Sequence, residues 1–324
     1  MGAGIVGVLV VAVLAAGVVA AVRETQSSDA PTAQPNAKDG PAPWQRVRQP
    51  DFAPAEPVAE MEGLSGPGGG VTGWLGVGTV TDYAAGRRTP VLWSSGDAER
   101  WHRANLPTTS AEGSAAAVAR RRDRSIAVGT ELGRSDREPV LWSSSDGAEW
   151  QRVALDVPPG DQALSLTAAG ARGFAVAGTS HLADVVAPLL FTSLDGIAWR
   201  AVDTGPASAF GPTATITALA VGADGMVAVG AVGADTEDGA IWFSADGVGW
   251  QSVPLAATGS GPGDQRFTSV AMSRTGLVAA GVDERTGREA PMVWHSPDGR
   301  AWERRPPDNA LGFGAGNNSV GVSI

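Results

Sequence analysis

The sequence predicts an all-β protein, namely a β-propeller of four-stranded blades that follows an N-terminal transmembrane helix. Three observations predict this architecture. A seven-residue string, S-x-D-G-x-x-W, occurs four times, and a fifth copy has Ala in place of Gly. The last Trp of each copy lies 49 to 52 residues after the previous one, so one unit repeats at a nearly constant period. Glycine accounts for 44 of the 324 residues, which is typical of a chain with many tight turns.

The first predicted element is an apolar stretch, residues 2–22, that contains no charged side chain. As a helix rising about 1.5 Å per residue it would be about 31 Å long, close to the roughly 30 Å hydrocarbon core of a bilayer. No basic side chain precedes Arg23, which favours an anchor over a cleaved signal peptide, while cleavage after Ala20 or Ala21 stays open. We therefore expect a single-pass anchor over residues 1–23 in the cytoplasmic membrane, with the propeller outside the cytoplasm.

Residues 24–57 form the second predicted segment, a Pro-rich linker. Seven prolines lie among Ala, Ser, Thr, Gln and Asp, and this composition cannot bury a hydrophobic core. Trp44 is the exception, because the string WQR that begins there recurs at Trp150, at the start of a predicted strand. We therefore expect a spacer between membrane and propeller that includes one strand fragment.

The propeller is predicted over residues 58–324. Each unit contains four short strands, A to D: strands A and B around a tight turn, a longer loop, strand C, the S-x-D-G turn, and a strand D that begins with Trp. In the third unit the predicted loop covers residues 179–187 and includes His181. Four strands per fifty residues is the period of a propeller blade rather than of a leucine-rich solenoid. The predicted units are residues 58–107, 108–156, 157–205, 206–256 and 257–307, with a partial unit over 308–324.

The closure of the predicted ring has two solutions. The fragment from Asn318 to Ile324 resembles a strand A, and the fragment at Trp44 resembles a strand D, but strands B and C do not accompany them. Either the ring has five blades with spare strands at its seam, or these fragments belong to an incomplete sixth blade.

The repeated string resembles the Asp-box, or BNR repeat, of sialidase-like propellers, although it is one residue shorter than the usual S-x-D-x-G-x-x-W. The resemblance implies a propeller in which these turns are folding elements on the side away from an active site. The Ser, Asp and Trp positions of the five copies are Ser95, Asp97, Trp101, Ser144, Asp146, Trp150, Ser193, Asp195, Trp199, Ser244, Asp246, Trp250, Ser296, Asp298 and Trp302.

The chemistry of these turn residues favours a structural role over a repeated sugar or cation site. Ser and Asp side chains accept backbone N–H groups within their own turn, and Gly adopts the positive φ that a reversal needs. A Trp that opens strand D covers the hairpin, and its burial removes about 150–250 Å² from water. We interpret the repeat as a packing and turn element.

Candidate ligand residues lie in two connections between blades. The tetrapeptide Pro-Gly-Asp-Gln occurs twice, each time directly before a predicted strand A, which lines the channel of a propeller. We therefore predict that Asp161, Gln162, Asp264, Gln265 and Arg266 lie near the channel mouth and form a polar ligand pocket. The alternative is that the tetrapeptide forms a turn and satisfies backbone groups.

Composition excludes several classes of function. The net charge of −10 disfavours nucleic acid as a partner, and the absence of Cys excludes disulfides and thiolate chemistry. The three histidines, His102, His181 and His295, belong to different predicted blades, so no metal site and no cofactor are predicted. A run of basic residues, Arg120–Arg124, is interpreted as a solvated turn rather than a phosphate site.

The predicted function is a non-catalytic binding or scaffold module for a protein or a cell-envelope glycan. The resemblance implies that a sialidase needs a nucleophilic Tyr and three Arg, but the single Tyr is Tyr83, and the early Arg-Ile-Pro motif has no match. No catalytic residue is therefore assigned. A sialidase-like or other glycoside hydrolase is the alternative, because ordinary glycosidases need only two suitably spaced carboxylates.

Overall fold

The computed structural model describes residues 7–13, 18–24, 58–66, 72–82, 85–110, 112–133, 136–157, 160–182, 185–255, 263–273, 275–284 and 289–305. Most of the predicted linker, Trp44 and the predicted partial unit over 308–324 lie outside the described residues.

The N-terminal apolar stretch contains two strands, β1 (Gly7–Val13) and β2 (Val18–Glu24), which pair antiparallel. The prediction of a helix is therefore wrong for these residues. Both strands are rich in Val, whose branched side chain favours extended backbone over helix. Within the described ranges, no helix is long and apolar enough to cross a bilayer.

Five four-stranded antiparallel sheets follow, which confirms the all-β prediction and the four strands per unit. In every sheet the spatial order of the strands is their order in the chain, as in the blades of a propeller. Sheet I comprises β3 (Val58–Ser65), β4 (Trp74–Asp82), β5 (Arg87–Ser95) and β6 (His102–Asn105). Sheet II comprises β7 (Gly113–Arg121), β8 (Arg124–Leu132), β9 (Arg137–Ser144) and β10 (Gln151–Val153).

The remaining three sheets repeat this pattern. Sheet III comprises β11 (Asp161–Gly170), β12 (Gly173–Leu182), β13 (Val185–Ser193) and β14 (Arg200–Ala201). Sheet IV comprises β15 (Thr215–Val221), β16 (Met226–Val232), β17 (Asp238–Ser244) and β18 (Trp250–Ser252). Sheet V comprises β19 (Gln265–Ser273), β20 (Gly276–Asp283), β21 (Ala290–Ser296) and β22 (Glu303–Arg305).

The connections between the second and third strands are shorter than the sequence predicts. Residues 179–187 read as a loop, yet β12 continues to Leu182 and β13 begins at Val185, with Leu182 paired to Val185. The ladder hydrogen bonds continue there although the residues do not alternate between apolar and polar. His181 consequently lies on a strand, not in a loop.

Consecutive sheets bury their facing surfaces against one another, so that four hydrophobic clusters separate five sheets. Each cluster combines apolar residues of the middle strands of one sheet with those of the next. Each cluster includes large side chains from both sheets, namely Leu92 and Trp142, Ile126 and Phe174, Leu190 and Trp242, and Phe243 and Trp294.

The aromatic residue of each third strand is among the most buried side chains of its sheet. Trp93, Trp142, Trp242 and Trp294 are at most 1% exposed, and Phe191 in sheet III is 2% exposed. Where the structure describes the connection from the preceding sheet, this connection supplies an acceptor: Nε1 of Trp142 donates to the carbonyl of Pro107 at 2.7 Å. Each buried indole is worth about 4–6 kcal/mol of gross apolar burial.

The first two strands of every sheet approach each other unusually closely beside a β-bulge. In sheet II the bulge lies between Ala115 and Ala117, and Ala115 pairs with Gly129. A Cβ on Gly129 would lie 2.0 Å from the carbonyl oxygen of Ser114, a distance that no side chain tolerates. The same glycine recurs in each sheet, with a corresponding distance of 1.8 to 2.0 Å, as Gly78, Gly129, Gly178, Gly230 and Gly281.

Substitution of this glycine tests the close approach. Gly129→Ala should lower the free energy of unfolding by about 1–3 kcal/mol or more, because the clash is with backbone that cannot move aside. Urea unfolding followed by Trp fluorescence measures the change. Gly96→Ala is the matched control, since a Cβ there meets nothing within 4 Å, and it should shift stability by less than about 0.5 kcal/mol. Equal effects of the two substitutions would contradict the packing argument.

Candidate functional site

The strand order gives each sheet two functionally different ends. The connections from strand B to strand C and from one sheet to the next lie at one end, which we call the loop face. The S-x-D-G turns and the turns between strands A and B lie at the other end, which we call the turn face. The predicted ligand residues belong to the loop face and the repeated turns to the turn face.

On the loop face, both Asp residues of the Pro-Gly-Asp-Gln tetrapeptides connect one sheet to the preceding sheet. Asp161 accepts the backbone N–H of Arg137 at 3.0 Å and also binds its guanidinium through two hydrogen bonds, at 2.7 and 2.8 Å. Asp264 accepts the backbone N–H of Glu237 at 3.0 Å. Arg137 and Glu237 occupy the same position at the start of the third strand of their sheets. The tetrapeptide therefore joins consecutive sheets.

The other three predicted ligand residues have different environments. Gln162 and Gln265 are at most 1% exposed, so their side chains do not line an open surface. The Nε2 of Gln162 lies 3.4 Å from the hydroxyl of Ser180. Arg266 is partly exposed and lies 3.7 Å from the carboxylates of both Glu237 and Glu284. The ligand-binding role of these residues stays a prediction.

Electrostatics hold Asp161 in its charged form. The hydrogen bonds from the Arg137 side chain and backbone lower the pKa of Asp161 to about 2, with smaller effects from the charges of Arg137 and His181. A carboxylate with such a pKa is ionised throughout the physiological range. It is unsuited to the role of a general acid, which requires a raised pKa.

Five residues of sheets II and III form a continuous row on the loop face, which we call the II–III row: Leu132, Arg137, Asp161, His181 and Val186. Leu132 pairs with Arg137, Asp161 pairs with His181, and His181 pairs with Val186. The salt bridge between Arg137 and Asp161 joins the two halves. Leu132 is 45% exposed and Val186 is 53% exposed, so apolar side chains lie at both ends of a fixed ion pair.

Sequence reasoning missed two buried acid–arginine pairs near the same face. Glu131 is 1% exposed, lies 2.7 Å from Arg152, and accepts the hydroxyl of Thr109 at 2.7 Å. In sheet V, Asp283 lies 2.9 Å from Arg304. The repeat contained a signal for both, because each acid follows the close-approach glycine by two residues and each Arg follows the strand-D Trp by two.

On the turn face, the repeated Ser and Asp form the same network in all five copies. In sheet II the Ser144 hydroxyl donates to Asp146 at 3.0 Å and accepts the N–H of Gly147 at 2.8 Å. Asp146 accepts the N–H groups of Ala148 and Glu149. These backbone hydrogen bonds lower the pKa of the Asp at each of the five turns. The Ser hydroxyl and one carboxylate oxygen, Oδ1, of each Asp are thus bound within their own turn.

The strand-D Trp closes four of the five turns. Nε1 of Trp101, Trp150, Trp250 and Trp302 donates to the carbonyl three residues earlier, at 2.9 to 3.3 Å. Trp199 differs, because its Nε1 is buried and has no hydrogen-bond partner in the structure. Its ring lies 6.5 Å from the ring of Phe174. The turn of sheet III is therefore closed without the indole hydrogen bond.

The basic cluster at the turn of sheet II is not merely solvated. Arg120 donates to the carbonyls of Thr72 and Gly73 in the segment before β4. Arg121 donates to the carbonyl of Leu194 at 3.0 Å, and its guanidinium lies 4.9 Å from the centre of the Phe174 ring. These contacts connect sheet II to both of its neighbours, which the one-dimensional charge pattern could not indicate.

Residues considered for catalysis or metal binding do not converge in the described part of the chain. His102 lies on β6, His181 on β12 and His295 on β21. No group of three or more His, Asp or Glu residues in that part is placed to hold a metal ion. Tyr83 lies outside the described residues.

The sheets and the repeated turns define a class, that of repeat proteins built from propeller-type blades. No family model matches the chain, and no curated protein matches it. The chain is similar to a structure of YCF48 bound to a D1 peptide, with 15% identity and a TM-score of 0.41 over 72% of this chain and 64% of that one. It therefore spans less than two thirds of the length of that structure.

Two further solved structures are enzymes. A glycosyl hydrolase from Bacteroides ovatus has 7% identity and a TM-score of 0.37 over 72% of this chain and 84% of its own. A sucrose-6-phosphate hydrolase from Lactobacillus gasseri has 12% identity and a TM-score of 0.40 over 78% of this chain and 62% of its own. Similarity at this level assigns no activity to this chain.

The salt bridge of the II–III row predicts a pH dependence. Because the folded-state pKa of Asp161 is lowered to about 2, its stabilising contribution is complete above the unfolded value of 3.8 and is lost as the pH falls towards 2. The difference in urea midpoint between the unmodified protein and Asp161→Asn should be constant above about pH 5 and narrow below pH about 4. The difference in urea midpoint between the unmodified protein and Arg137→Gln should decrease over the same pH range.

The control for this experiment is Asp156→Asn. Asp156 is exposed and makes no ion pair among the residues that the structure describes. Asp156→Asn should therefore leave the urea midpoint equal to that of the unmodified protein within experimental error. A difference for Asp161→Asn that stays the same between about pH 2 and pH 5 would refute the linkage.

The first turn provides a second prediction. Ala98 occupies the glycine position with φ of 64°, whereas Gly147, Gly196, Gly247 and Gly299 occupy it in the other copies. A left-handed conformation costs a residue with a Cβ about 1–2 kcal/mol. Ala98→Gly should therefore raise the thermal midpoint measurably. Ala148→Gly, one residue after the glycine position of the second turn, should not, and a lower midpoint for Ala98→Gly would contradict the argument.

Proposed function

We propose that this chain is a non-catalytic binding or scaffold module that binds a protein or a cell-envelope glycan through its loop face. The II–III row carries the proposal. Val186 is 53% exposed and Leu132 is 45% exposed, and both belong to the six large apolar side chains that are exposed in the described residues. Aliphatic side chains grouped around an ion pair are typical of protein interfaces, so the row favours a protein partner.

The rigidity of this row supports binding. The Arg137–Asp161 ion pair and the ladder hydrogen bonds of β12 with β13 hold the exposed side chains on a preformed surface. Binding to this preformed surface therefore removes less conformational freedom from the chain than binding to a mobile loop would. The lowered pKa of Asp161 makes this carboxylate a poor proton donor.

We also propose that residues 2–22 attach the module to the cytoplasmic membrane, with the sheets outside the cytoplasm. The support is the absence of any charged side chain in this stretch, a property of the residues themselves. Because the repeated turns resemble Asp-boxes, we assign the sheets to the sialidase-like group of propellers within the same proposal.

Photo-crosslinking in native membranes tests the proposed function. A benzophenone side chain at position 186 should cross-link to one reproducible partner, and the same group at Glu149 on the turn face should not give that product. Deletion of residues 2–22 should move the chain to the soluble fraction. The change Leu132→Ser should reduce the yield at position 186 at least about fivefold, since apolar contact is removed from the same row.

Two outcomes would reject the proposed function. One is the absence of any reproducible product at position 186. The other is turnover of fluorogenic sialosides or other glycosides by the purified chain that disappears in Asp161→Asn or Asp264→Asn. The second outcome would favour the glycoside hydrolase alternative.

A further inference from the structure

A recess lies between the S-x-D-G turns of sheets III and IV, on the turn face and therefore opposite the II–III row. Its volume is about 330 Å³, within the range of ligand-binding cavities. The apolar part of its lining consists of Leu194, Ala198, Trp199, Met226 and Val248. We call it the turn-face recess.

Exposed aliphatic side chains distinguish these two turns from the others. Leu194 is 66% exposed, Ile197 is 60% exposed and Val248 is 50% exposed. The positions equivalent to Ile197 and Val248 in the other turns hold Glu99, Ala148 and Arg300.

The turn itself does not require these aliphatic residues. The backbone hydrogen bonds of each turn are made by its Ser and Asp, as Ser244 with Gly247 and Asp246 with Val248 show. The intervening side chains are therefore free to vary without loss of the turn. Their apolar character in sheets III and IV adds exposed hydrophobic surface that folding does not explain.

The walls of the recess are held in place. Asp195 accepts the N–H groups of Ile197 and Ala198 at 2.8 and 3.0 Å, and the carbonyl of Leu194 accepts a hydrogen bond from Arg121. Thr192, on β13, donates to the carbonyl of Gly247 at 2.7 Å, which connects sheet III to the turn of sheet IV. The recess is thus preformed, which lowers the entropic cost of binding.

Trp199 is the exception within this rigid frame. Its Nε1 makes no hydrogen bond, whereas the equivalent indole of each of the other four turns is bound to a carbonyl of its own turn. A rotation of the Trp199 ring therefore breaks no indole hydrogen bond. A ligand that offers a backbone carbonyl supplies an acceptor for this donor, and a buried donor without an acceptor is unfavourable.

The carboxylates that line the recess favour a ligand with a basic side chain. Asp195 and Asp246 line it, and backbone hydrogen bonds lower the pKa of both carboxylates, so both are ionised at neutral pH. Arg200 is the one cation in the lining. Two fixed anions beside an apolar recess repel anionic lipid and complement a basic side chain.

We propose that the turn-face recess docks a protein segment in which a large aliphatic or aromatic side chain lies beside a lysine or arginine. The apolar side chain enters between Leu194 and Val248, and the basic side chain lies against Asp195 or Asp246. Such a segment also supplies backbone carbonyls, the acceptors that the Trp199 indole lacks. This site is independent of the II–III row because it belongs to the opposite end of the sheets.

Peptide binding to the full chain, carried in phosphatidylcholine nanodiscs, tests this site. The probe is a fluorescein-labelled hexapeptide, Gly-Lys-Leu-Phe-Lys-Gly, and fluorescence anisotropy measures its binding. We expect saturable binding that weakens at least about tenfold in Leu194→Ser with Val248→Ser, since the apolar contact is lost. The acidic peptide Gly-Glu-Leu-Phe-Glu-Gly and the polar peptide Gly-Lys-Ser-Ser-Lys-Gly should each bind at least about tenfold more weakly.

Two control variants keep the test decisive. Ala148→Ser changes an equivalent position in the turn of sheet II and should leave the affinity within about twofold, because surface substitutions away from a site have small effects. Val248→Ser alone, at a lining position that is exposed in the folded chain, should weaken binding if the double variant fails to fold.

Four results would overturn the proposal: no saturable binding of the basic peptide, equal binding of the acidic peptide, affinity unchanged by the Leu194 and Val248 substitutions, or self-association of the chain that these substitutions abolish. The last result would identify a second copy of the chain as the occupant. Each can occur whether or not cross-linking at position 186 succeeds, so failure here is distinguishable from failure of the proposed function.

Discussion

The burial of sheet faces against neighbouring sheets is the constraint on which the rest of this structure depends. A single four-stranded sheet of this kind exposes two apolar faces, and it becomes stable only when sheets on both sides cover them. Residues such as Ile126, Leu190 and Ile241 meet this requirement by packing on the next sheet in the chain. The repeat length of about fifty residues follows from it, because each unit must supply one complete layer.

Many of the polar side chains described above form hydrogen bonds that stabilise the packed sheets and their turns. Arg120 and Arg121 connect sheet II to its neighbours, and Asp161 connects sheet III to the strand that begins at Arg137. The S-x-D-G carboxylates bind their own turns. What is left exposed and unexplained by folding is apolar, at the II–III row and at the turn-face recess. These two apolar surfaces lie on opposite faces of neighbouring sheets, one on the loop face and one on the turn face.

The repeat made much of the fold predictable, while features set by contacts between distant residues were not. Identical spacing of Ser, Asp and Trp located every third and fourth strand, because a turn of this type specifies its own hydrogen bonds. The sequence predicts a loop where β12 ends at Leu182 and β13 begins at Val185, because apolar and polar residues do not alternate there. The burial of Gln162 and Gln265 was also missed, because a polar residue before a strand is ordinarily exposed.

The N-terminal stretch illustrates the same limit. Its lack of charge predicts burial in an apolar medium but does not distinguish a helix from the pair β1 and β2.

The sequence by itself determined the number of complete units, the turn chemistry and the acidic charge, since these depend on residues close together in the chain. Only the tertiary structure decided that Leu132, Asp161 and Val186 share one row and that Leu194 faces Val248 across a recess. Those juxtapositions arise from the stacking of separate sheets, which no local pattern encodes.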